Sequence, residues 1–203
     1  MNLPVDWDRF KGSRIKKENG VISGRATVYT GISQDMAGSL RRVAGIAAFV
    51  GFTALAAQLA VRLPYTPVPV TMQTLFVLLA GIVLGPRDGF YAMIAYIGIG
   101  VAGAPVFAGM TFGPAILFGP TGGYLLAFPA AALLTGVLAR SLGGGKPAVL
   151  IGSLTGSALI LLGGTLYLWL LSGQSLTGVL AMAVVPFILT DLVKAVVAVV
   201  LSG

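Results

Sequence analysis

Long apolar runs, interrupted by proline, glycine or charged residues, dominate the chain after residue 42. A run of about 20 apolar residues is long enough to cross a bilayer as an α-helix. This pattern predicts an all-α, polytopic membrane protein with six transmembrane helices. The six spans are at residues 43–62, 71–85, 88–103, 121–140 and 148–171, with the last running from between 176 and 186 to the end. The second and third are short, and cross only if flanking segments complete them inside the protein.

The composition supports a membrane protein. Charged residues make up 9% of the chain and hydrophobic residues 57%, whereas charged residues make up about 25% of a typical soluble domain. The chain contains no cysteine and no histidine. Disulfides, thiolate chemistry and histidine-ligated metal sites are therefore excluded, and no metal or other cofactor is expected.

The charge is concentrated at the N-terminus. Residues 1–42 hold eight Lys/Arg and four Asp/Glu, and the rest of the chain holds five and two. The net charge of +7 could indicate a nucleic-acid partner, but basic residues directly before the first span follow the positive-inside rule, so none is expected. We interpret residues 1–42 as a basic cytoplasmic extension and residues 43–203 as the transmembrane domain. The polar start does not resemble a cleavable signal peptide.

The connections between spans alternate in charge. Basic residues occur at 85–89 and 140–147, and none occurs at 103–120 or 172–177. This alternation predicts that both termini are cytoplasmic. Arg62, on the opposite side, is the exception.

The two uncharged outer connections, "RLPYTPVPVTMQT" and "GAPVFAGMTFGPAILFGPTGGY", are rich in proline, glycine and aromatic residues. Irregular backbone at membrane depth persists only where it is buried in protein or lines a cavity. We therefore expect structured loops that cap an outward-facing pocket. The alternative is that they are plain solvent-exposed connectors.

Two glycine motifs do not indicate nucleotide binding. "GIGVAG" at 98–103 follows an apolar span rather than a strand, so its glycines are expected to allow close helix packing or to end the span. "LGGGKP" lacks the first glycine of a phosphate-binding loop and has Pro147 in place of Ser or Thr. The chain is therefore not expected to hydrolyse ATP itself. Active transport would need ATP used by another polypeptide, or an ion gradient.

Small residues crowd the first span, with the pairs Ala44/Ala48 and Ala56/Ala60 each four residues apart. Such faces let a second helix approach closely in lipid. They predict either docking of a partner subunit or packing within the chain. Gly152 and Gly156 on the fifth span are expected to pack internally.

Asp191 and Lys194 interrupt the last apolar span. Three residues apart on a helix, they project from the same face. Each would cost about 2.5–3.5 kcal/mol at the centre of a lipid-facing helix, so they are expected to face the protein interior. Pro186 favours a helix start, which puts Asp191 in the second turn near the outer side. The pair indicates either a ligand site or an internal salt bridge.

Four segments resemble the signatures of the BioY family, the biotin-specific substrate-binding (S) subunits of energy-coupling-factor (ECF) transporters. They are "PVPVTMQTL" at 67–75, "GAPVFAG" at 103–109, "FGPTGGYLLAF" at 118–128 and "PFILTDLVKA" at 186–195. The resemblance implies a compact six-helix bundle in a prokaryotic cytoplasmic membrane, surrounded by lipids, that captures biotin on its outer side. It also implies two kinds of partner, a transmembrane T subunit and ATP-binding cassette ATPases.

The resemblance also implies site residues. Asp191 and Lys194 match the acidic–basic pair expected to contact the polar head group of biotin. Tyr124 and Phe107 would line the site for the fused rings and valeryl chain, and Gln73 would donate or accept a hydrogen bond. Small-residue faces on the first span are similar to those with which S subunits dock on the T subunit. Met110 stands where the family usually continues with another glycine.

Two other functions are alternatives. A stand-alone, ion-coupled vitamin carrier would use Asp191 as its proton or cation site. A membrane-embedded enzyme that modifies lipids would use Asp191 as a general base or metal ligand, but no other carboxylate lies deep in a span and two-metal chemistry needs more ligands.

Overall fold

The structure is a computed structural model that describes residue 36 and residues 38–202. The rest of the predicted N-terminal extension lies outside the described residues. The chain divides into two compact units, residues 1–43 and 44–203, and packing is described below for the second unit.

Helices make up most of the described chain, together with one small hairpin. In chain order the elements are α1 (Gly38–Gln58), β1 (Ala60–Val61), β2 (Val70–Thr71), α2 (Gln73–Val83), α3 (Pro86–Val101), a 3-10 helix (Pro114–Phe118), α4 (Gly122–Ser141), α5 (Lys146–Ser172), α6 (Leu176–Ala183) and α7 (Val185–Leu201).

Helices α6 and α7 are one apolar segment interrupted at a single residue. Val184 departs from helical geometry, with φ −120° and ψ −52°, and Pro186 lies in the first turn of α7 as predicted. With α6 and α7 counted together, the described chain has six α-helical segments besides the 3-10 helix. By length and composition, four of these could cross a membrane, namely α1, α4, α5 and the α6–α7 segment.

The all-helical prediction is therefore confirmed, and each of the six predicted spans overlaps one helical segment, but α2 and α3 are shorter than a full crossing and α1 ends before the predicted residue 62. Helix α2 has 11 residues, or about 16 Å at 1.5 Å per residue, against a hydrocarbon core of about 30 Å. Most of α2 is buried by neighbouring helices, which removes its backbone from lipid.

Helices α2, α4 and α5 meet at a close contact formed by glycines, which we call the glycine contact (Gly81, Gly136, Gly152 and Gly156). A β-carbon built at Gly81 would collide with the carbonyl oxygen of Ala132, and one at Gly152 would lie 2.8 Å from that of Thr135. The prediction that Gly152 and Gly156 pack within the chain is confirmed. Small residues here let helix backbones touch.

Two ordered loops connect the helices at one end, loop 1 (residues 59–72) and loop 2 (residues 102–121). Loop 1 contains the β1–β2 hairpin, with Ala60 paired to Thr71. Loop 2 contains the 3-10 helix and a bridge between Phe107 and Thr111. Met110 in loop 2 has a φ of 59°, the left-handed region that favours glycine.

The predicted small-residue face of the first span needs correction. Helix α1 ends at Gln58 because the chain turns into the hairpin, so Ala60 lies on β1 and shares no helix face with Ala56. Ala56 is 2% exposed and packs inside the chain. Ala44 and Ala48 are exposed on α1. Docking of a partner subunit therefore stays a prediction for these two residues.

Candidate functional site

A cavity of about 410 Å³ lies between loops 1 and 2 and helices α2, α4, α5 and α7, within the range of small-molecule sites. All five residues predicted to bind substrate line it. They come from four separate parts of the chain: Gln73, Phe107, Tyr124, Asp191 and Lys194.

The acidic–basic pair on α7 forms a buried salt bridge. Lys194 Nζ donates to Asp191 Oδ1 at 3.0 Å and to Thr74 Oγ1 on α2 at 2.7 Å. Asp191 and Lys194 are each 4% exposed. The second carboxylate oxygen, Asp191 Oδ2, has no hydrogen-bond partner among the described residues. A buried acceptor of this kind carries a desolvation cost until a donor reaches it.

Tyr124 contributes the face of its ring. Its hydroxyl donates to the carbonyl oxygen of Ala183 at 3.0 Å, and its ring centroid lies 5.9 Å from that of Phe187. A β-carbon at Gly164 would collide with the Tyr124 ring. The space left by Gly164 on α5 and the hydrogen bond to Ala183 at the end of α6 therefore fix the orientation of the Tyr124 ring.

Phe107 extends from loop 2 into the protein core and is 1% exposed. Its ring meets that of Tyr96 edge-on, with centroids 5.6 Å apart and planes at 84°. A β-carbon at Gly100 would collide with the Phe107 ring. Gly100 in "GIGVAG" therefore makes room for a loop side chain rather than for a second helix, whereas Gly103, with φ +113° just after α3, ends the span as predicted.

A series of hydrogen bonds from neighbouring side chains holds Gln73 in place. Its Nε2 donates to the Tyr96 hydroxyl at 2.6 Å, and its Oε1 accepts from Thr71 Oγ1 at 3.0 Å. The Tyr96 hydroxyl in turn donates to the carbonyl oxygen of Val106 at 2.9 Å. Gln73 thus joins α2 to α3 and loop 2, and one amide N–H remains for a ligand.

Several residues of the site were not predicted as such. Thr74 anchors Lys194, Tyr96 anchors Gln73, and Gln58 holds loop 2. Gln58 Nε2 donates to the carbonyl oxygen of Phe107 at 3.2 Å, and its Oε1 accepts from the backbone N–H of Met110 at 3.0 Å. A polar side chain within an apolar span was the available signal for Gln58 and Tyr96.

Arg62 also lines the cavity. In the sequence it stood out only as the exception to the charge pattern. Its guanidinium lies against Gly109 of loop 2, where a β-carbon would be 2.8 Å from Arg62 Nη2. The cavity thus has a cation in loop 1 as well as the Asp191–Lys194 pair.

This arrangement suits a small ligand with a polar group and an apolar body. The carboxylate accepts N–H groups, and the ammonium donates to a carbonyl or carboxylate. Aromatic and aliphatic walls from Tyr124, Leu125 and Phe128 would cover the apolar body. Over residues 36 and 38–202 no group of three or more potential metal ligands comes together.

Comparison with known proteins gives a consistent result. The family model described as "BioY family" matches residues 27–203. A probable biotin transporter BioY of Pyrococcus horikoshii is 42% identical over 162 residues, which is 80% of this chain and 94% of that protein. Biotin transporter BioY2 of Lactococcus lactis subsp. cremoris is 39% identical over 135 residues, 66% of this chain and 74% of the relative.

A solved structure has the same fold. The crystal structure of the S-component for biotin from an ECF-type ABC transporter superposes with a TM-score of 0.76 at 27% sequence identity. The match covers 81% of this chain and 90% of that chain.

Proposed function

The chain belongs to the BioY family, and on that premise we propose that it captures biotin at the outer face of a prokaryotic cytoplasmic membrane. It is the biotin S component of a transporter. We assign inward delivery of biotin to a T subunit and ATP-binding cassette ATPases of an ECF transporter, since the similar solved structure is the S-component for biotin from an ECF-type ABC transporter.

The Asp191–Lys194 pair at the cavity is the observation that carries this proposal. Biotin has a neutral ureido ring with two N–H donors and a carbonyl acceptor. Asp191 Oδ2 lacks a partner among the described residues and can accept a ureido N–H, while Lys194 has a third N–H to donate to the carbonyl. A neutral ion pair therefore complements a neutral ring, and the free acceptor favours a ligand role over a salt bridge alone.

The cavity walls complement the rest of the molecule. The rings of Tyr124 and Phe107 would pack on the fused rings and valeryl chain, since aromatic faces bury apolar surface with few rotamers to fix. Gln73 would supply a further N–H beside them. Loops 1 and 2, held by hydrogen bonds within each loop and by Gln58 of α1, would cover the bound vitamin.

We assign docking on the T subunit to the exposed small residues Ala44 and Ala48. Within the described residues, the apolar part of α1 is 22% buried and that of α4 61%, so α1 leaves more of its surface for a partner or lipid. In this proposal residues 1–42 form the cytoplasmic extension, residues 43–203 the transmembrane domain, and both termini are cytoplasmic.

Biotin binding by the purified protein tests the function. We expect binding without ATP or other subunits, measured by titration calorimetry in detergent or nanodiscs. A correctly folded wild type that fails to bind biotin would contradict the proposal. Uptake that stops with a protonophore and continues without the ATPases would instead identify a stand-alone carrier.

Capture of the T subunit tests the docking face. Ala48→Leu is expected to weaken co-purification of the T subunit and ATPases while biotin binding stays unchanged, because the larger side chain blocks close helix approach. Ala130→Leu, at an exposed position of α4, is the matched control. Equal loss in both variants would assign docking elsewhere.

A further inference from the structure

Helices α3 and α4 each carry an exposed apolar face that ends at an exposed arginine. Residues three and four apart lie on the same face of a helix, and both faces follow this spacing. The exposed residues of these two faces, which we call the arginine faces, are Arg87, Tyr91 and Ile94 on α3 and Leu133, Val137 and Arg140 on α4. Each helix thus presents an apolar surface to lipid, with a cation at one end of it.

The two arginines lie at the end of the bundle away from the cavity. Loop 2 joins the end of α3 to the start of α4, whereas Arg87 is in the first turn of α3 and Arg140 in the last turn of α4. The two helices are in contact. Arg140 Nη2 donates to the carbonyl oxygen of Leu84 at 3.4 Å, and a β-carbon at Gly85, directly before α3, would collide with the guanidinium. The Arg140 guanidinium therefore lies beside the turn of α3 that carries Arg87.

The exposed charge on the arginine faces is positive. In the second unit the acidic residues are Asp88 and Asp191. Asp191 is buried at the cavity, and Asp88 is half-buried and takes part in an interaction within the chain. Arg87 and Arg140 are exposed, and the hydrogen bond from Arg140 to Leu84 goes to an uncharged carbonyl. Two guanidiniums on neighbouring helices attract an anion, and a guanidinium matches the oxygens of a phosphate with parallel N–H donors.

The length of α3 brings this end of the molecule to the phosphate groups of the membrane. Helix α3 has 16 residues, or about 24 Å at 1.5 Å per residue, against a hydrocarbon core of about 30 Å. A helix shorter than the bilayer is accommodated when long side chains at its end extend to the headgroups. Tyr91, one turn from Arg87, is 53% exposed, and tyrosine is enriched at the membrane–water interface. Arg87 is thus placed to meet a headgroup.

We propose that Arg87 and Arg140 bind the phosphate of an anionic phospholipid, whose acyl chains lie on the apolar parts of the arginine faces. A zwitterionic lipid carries its own ammonium group beside the phosphate, so two arginines favour a lipid with net negative charge. This site is separate from the cavity and independent of biotin. In the topology proposed above it faces the cytoplasmic leaflet, whose surface is anionic.

Native mass spectrometry of the full chain tests the site by titration with two lipids. The lipids are phosphatidylglycerol and phosphatidylcholine with identical acyl chains, and the site variants are Arg87→Gln, Arg140→Gln and Arg140→Lys. Two controls each remove one exposed positive charge. Lys146→Gln does so at the start of α5, at the same end of the bundle, and Arg62→Gln does so in loop 1, at the other end.

Wild type should bind phosphatidylglycerol on the order of 10-fold more tightly than phosphatidylcholine. Arg87→Gln and Arg140→Gln should each lower phosphatidylglycerol affinity about fivefold, because each removes one arginine from the headgroup. Phosphatidylcholine affinity should change less than about twofold. Arg140→Lys should keep most of the affinity, since the positive charge remains, and both controls should bind phosphatidylglycerol as the wild type does.

Three results would overturn the proposal. A wild type that binds the two lipids equally excludes an anionic-lipid site. A loss in Lys146→Gln as large as that in Arg87→Gln means that charge at this end attracts lipid without a defined site. Arginine variants that keep phosphatidylglycerol affinity but lose co-purification of the T subunit and ATPases make this a protein-docking surface.

A folding defect would not leave the proposal undecided. Arg140→Gln loses the contact with Leu84, and if this variant does not fold, Arg87→Gln decides, because a selective loss of phosphatidylglycerol supports the site and unchanged affinity refutes it. The lipid titration does not involve biotin, so its result stands even if the proposed function fails.

Discussion

The cavity end of the bundle and the glycine contact among α2, α4 and α5 hold their backbones in different ways. At the cavity end, side chains bind the irregular backbone of the loops: Gln58 bonds to Phe107 and Met110, Tyr96 to Val106, and Tyr167 to Leu117. At the glycine contact, Gly81 and Gly136 bring helix backbones together with no side chain between them.

The two regions should therefore respond to different kinds of substitution. A helix satisfies its own backbone groups, so the glycine contact depends mainly on volume, with one added hydrogen bond from Thr135 Oγ1 to the carbonyl oxygen of Gly152 at 3.2 Å. Loop backbone in a membrane protein needs outside partners, so the cavity end depends on the identity of each polar group. At the cavity end, a ligand could also supply the hydrogen-bond donor that Asp191 Oδ2 lacks among the described residues.

The largest effect is expected at the ion pair. Asp191→Asn leaves the Lys194 ammonium buried without its counter-charge, which should cost about 3 kcal/mol or more of stability. Biotin affinity should fall on the order of 100-fold, since hydrogen bonds to a charged group are lost. Thermal unfolding and titration calorimetry measure the two losses separately.

The double variant Asp191→Asn/Lys194→Met distinguishes a ligand site from a structural salt bridge. Removal of both charges should restore much of the stability, because the unpaired ammonium is gone, while biotin binding stays lost. A double variant that still binds biotin as the wild type does would show that the pair is structural only.

The glycine contact should show the next largest effect, on stability rather than on ligand selectivity. Gly81→Ala drives a methyl group into the Ala132 backbone, and overpacking of this kind costs about 1–3 kcal/mol. Gly98→Ala on α3 is the matched control, since a β-carbon there meets nothing within 4 Å, and it should be neutral or stabilising. Similar unfolding temperatures for both variants would contradict the packing argument.

Local sequence features predicted much of this molecule. Apolar runs gave the helix positions, and Pro186 predicted the start of α7, because both depend on neighbouring residues. The three-residue spacing of Asp191 and Lys194 predicted their contact for the same reason. The resemblance to a family added Phe107, Tyr124 and Gln73, which come together at one cavity.

Partners distant in sequence were not predictable. Thr74 bonds to Lys194 across 120 residues, and Gln58 bonds to Phe107 across 49. The end of α1 was placed too late, because the pairing of Ala60 with Thr71 is set by the hairpin rather than by the apolar run. That misplaced end also produced the incorrect face containing Ala56 and Ala60.

A smaller effect is expected at the hydrogen-bonded chain through Tyr96. Tyr96→Phe leaves Gln73 Nε2 and the Val106 carbonyl without this partner, which should cost about 1–3 kcal/mol of stability. Biotin affinity should fall only a few fold, because Gln73 and loop 2 shift rather than disappear. Tyr91→Phe is the control on the same helix, since Tyr91 is exposed. Equal stability of the two variants would remove Tyr96 from the support of the site.

The smallest effect concerns Met110, and it tests whether loop 2 carries backbone strain. Met110 has a φ of 59° and is 59% exposed. Met110→Gly therefore removes little buried surface, and it keeps the backbone N–H that donates a hydrogen bond to Gln58 Oε1. Relief of the left-handed conformation should exceed the entropy lost by glycine, for a net gain in stability of about 0.5 kcal/mol.

The control is Ala102→Gly, in the same loop with φ −70°. It places the same residue where no strain exists and should lower stability by about 0.5–1 kcal/mol. The opposite signs of the two unfolding-temperature shifts are the measurement. If both variants lose stability, loop 2 holds Met110 without strain, and the preference for glycine at this position has another cause.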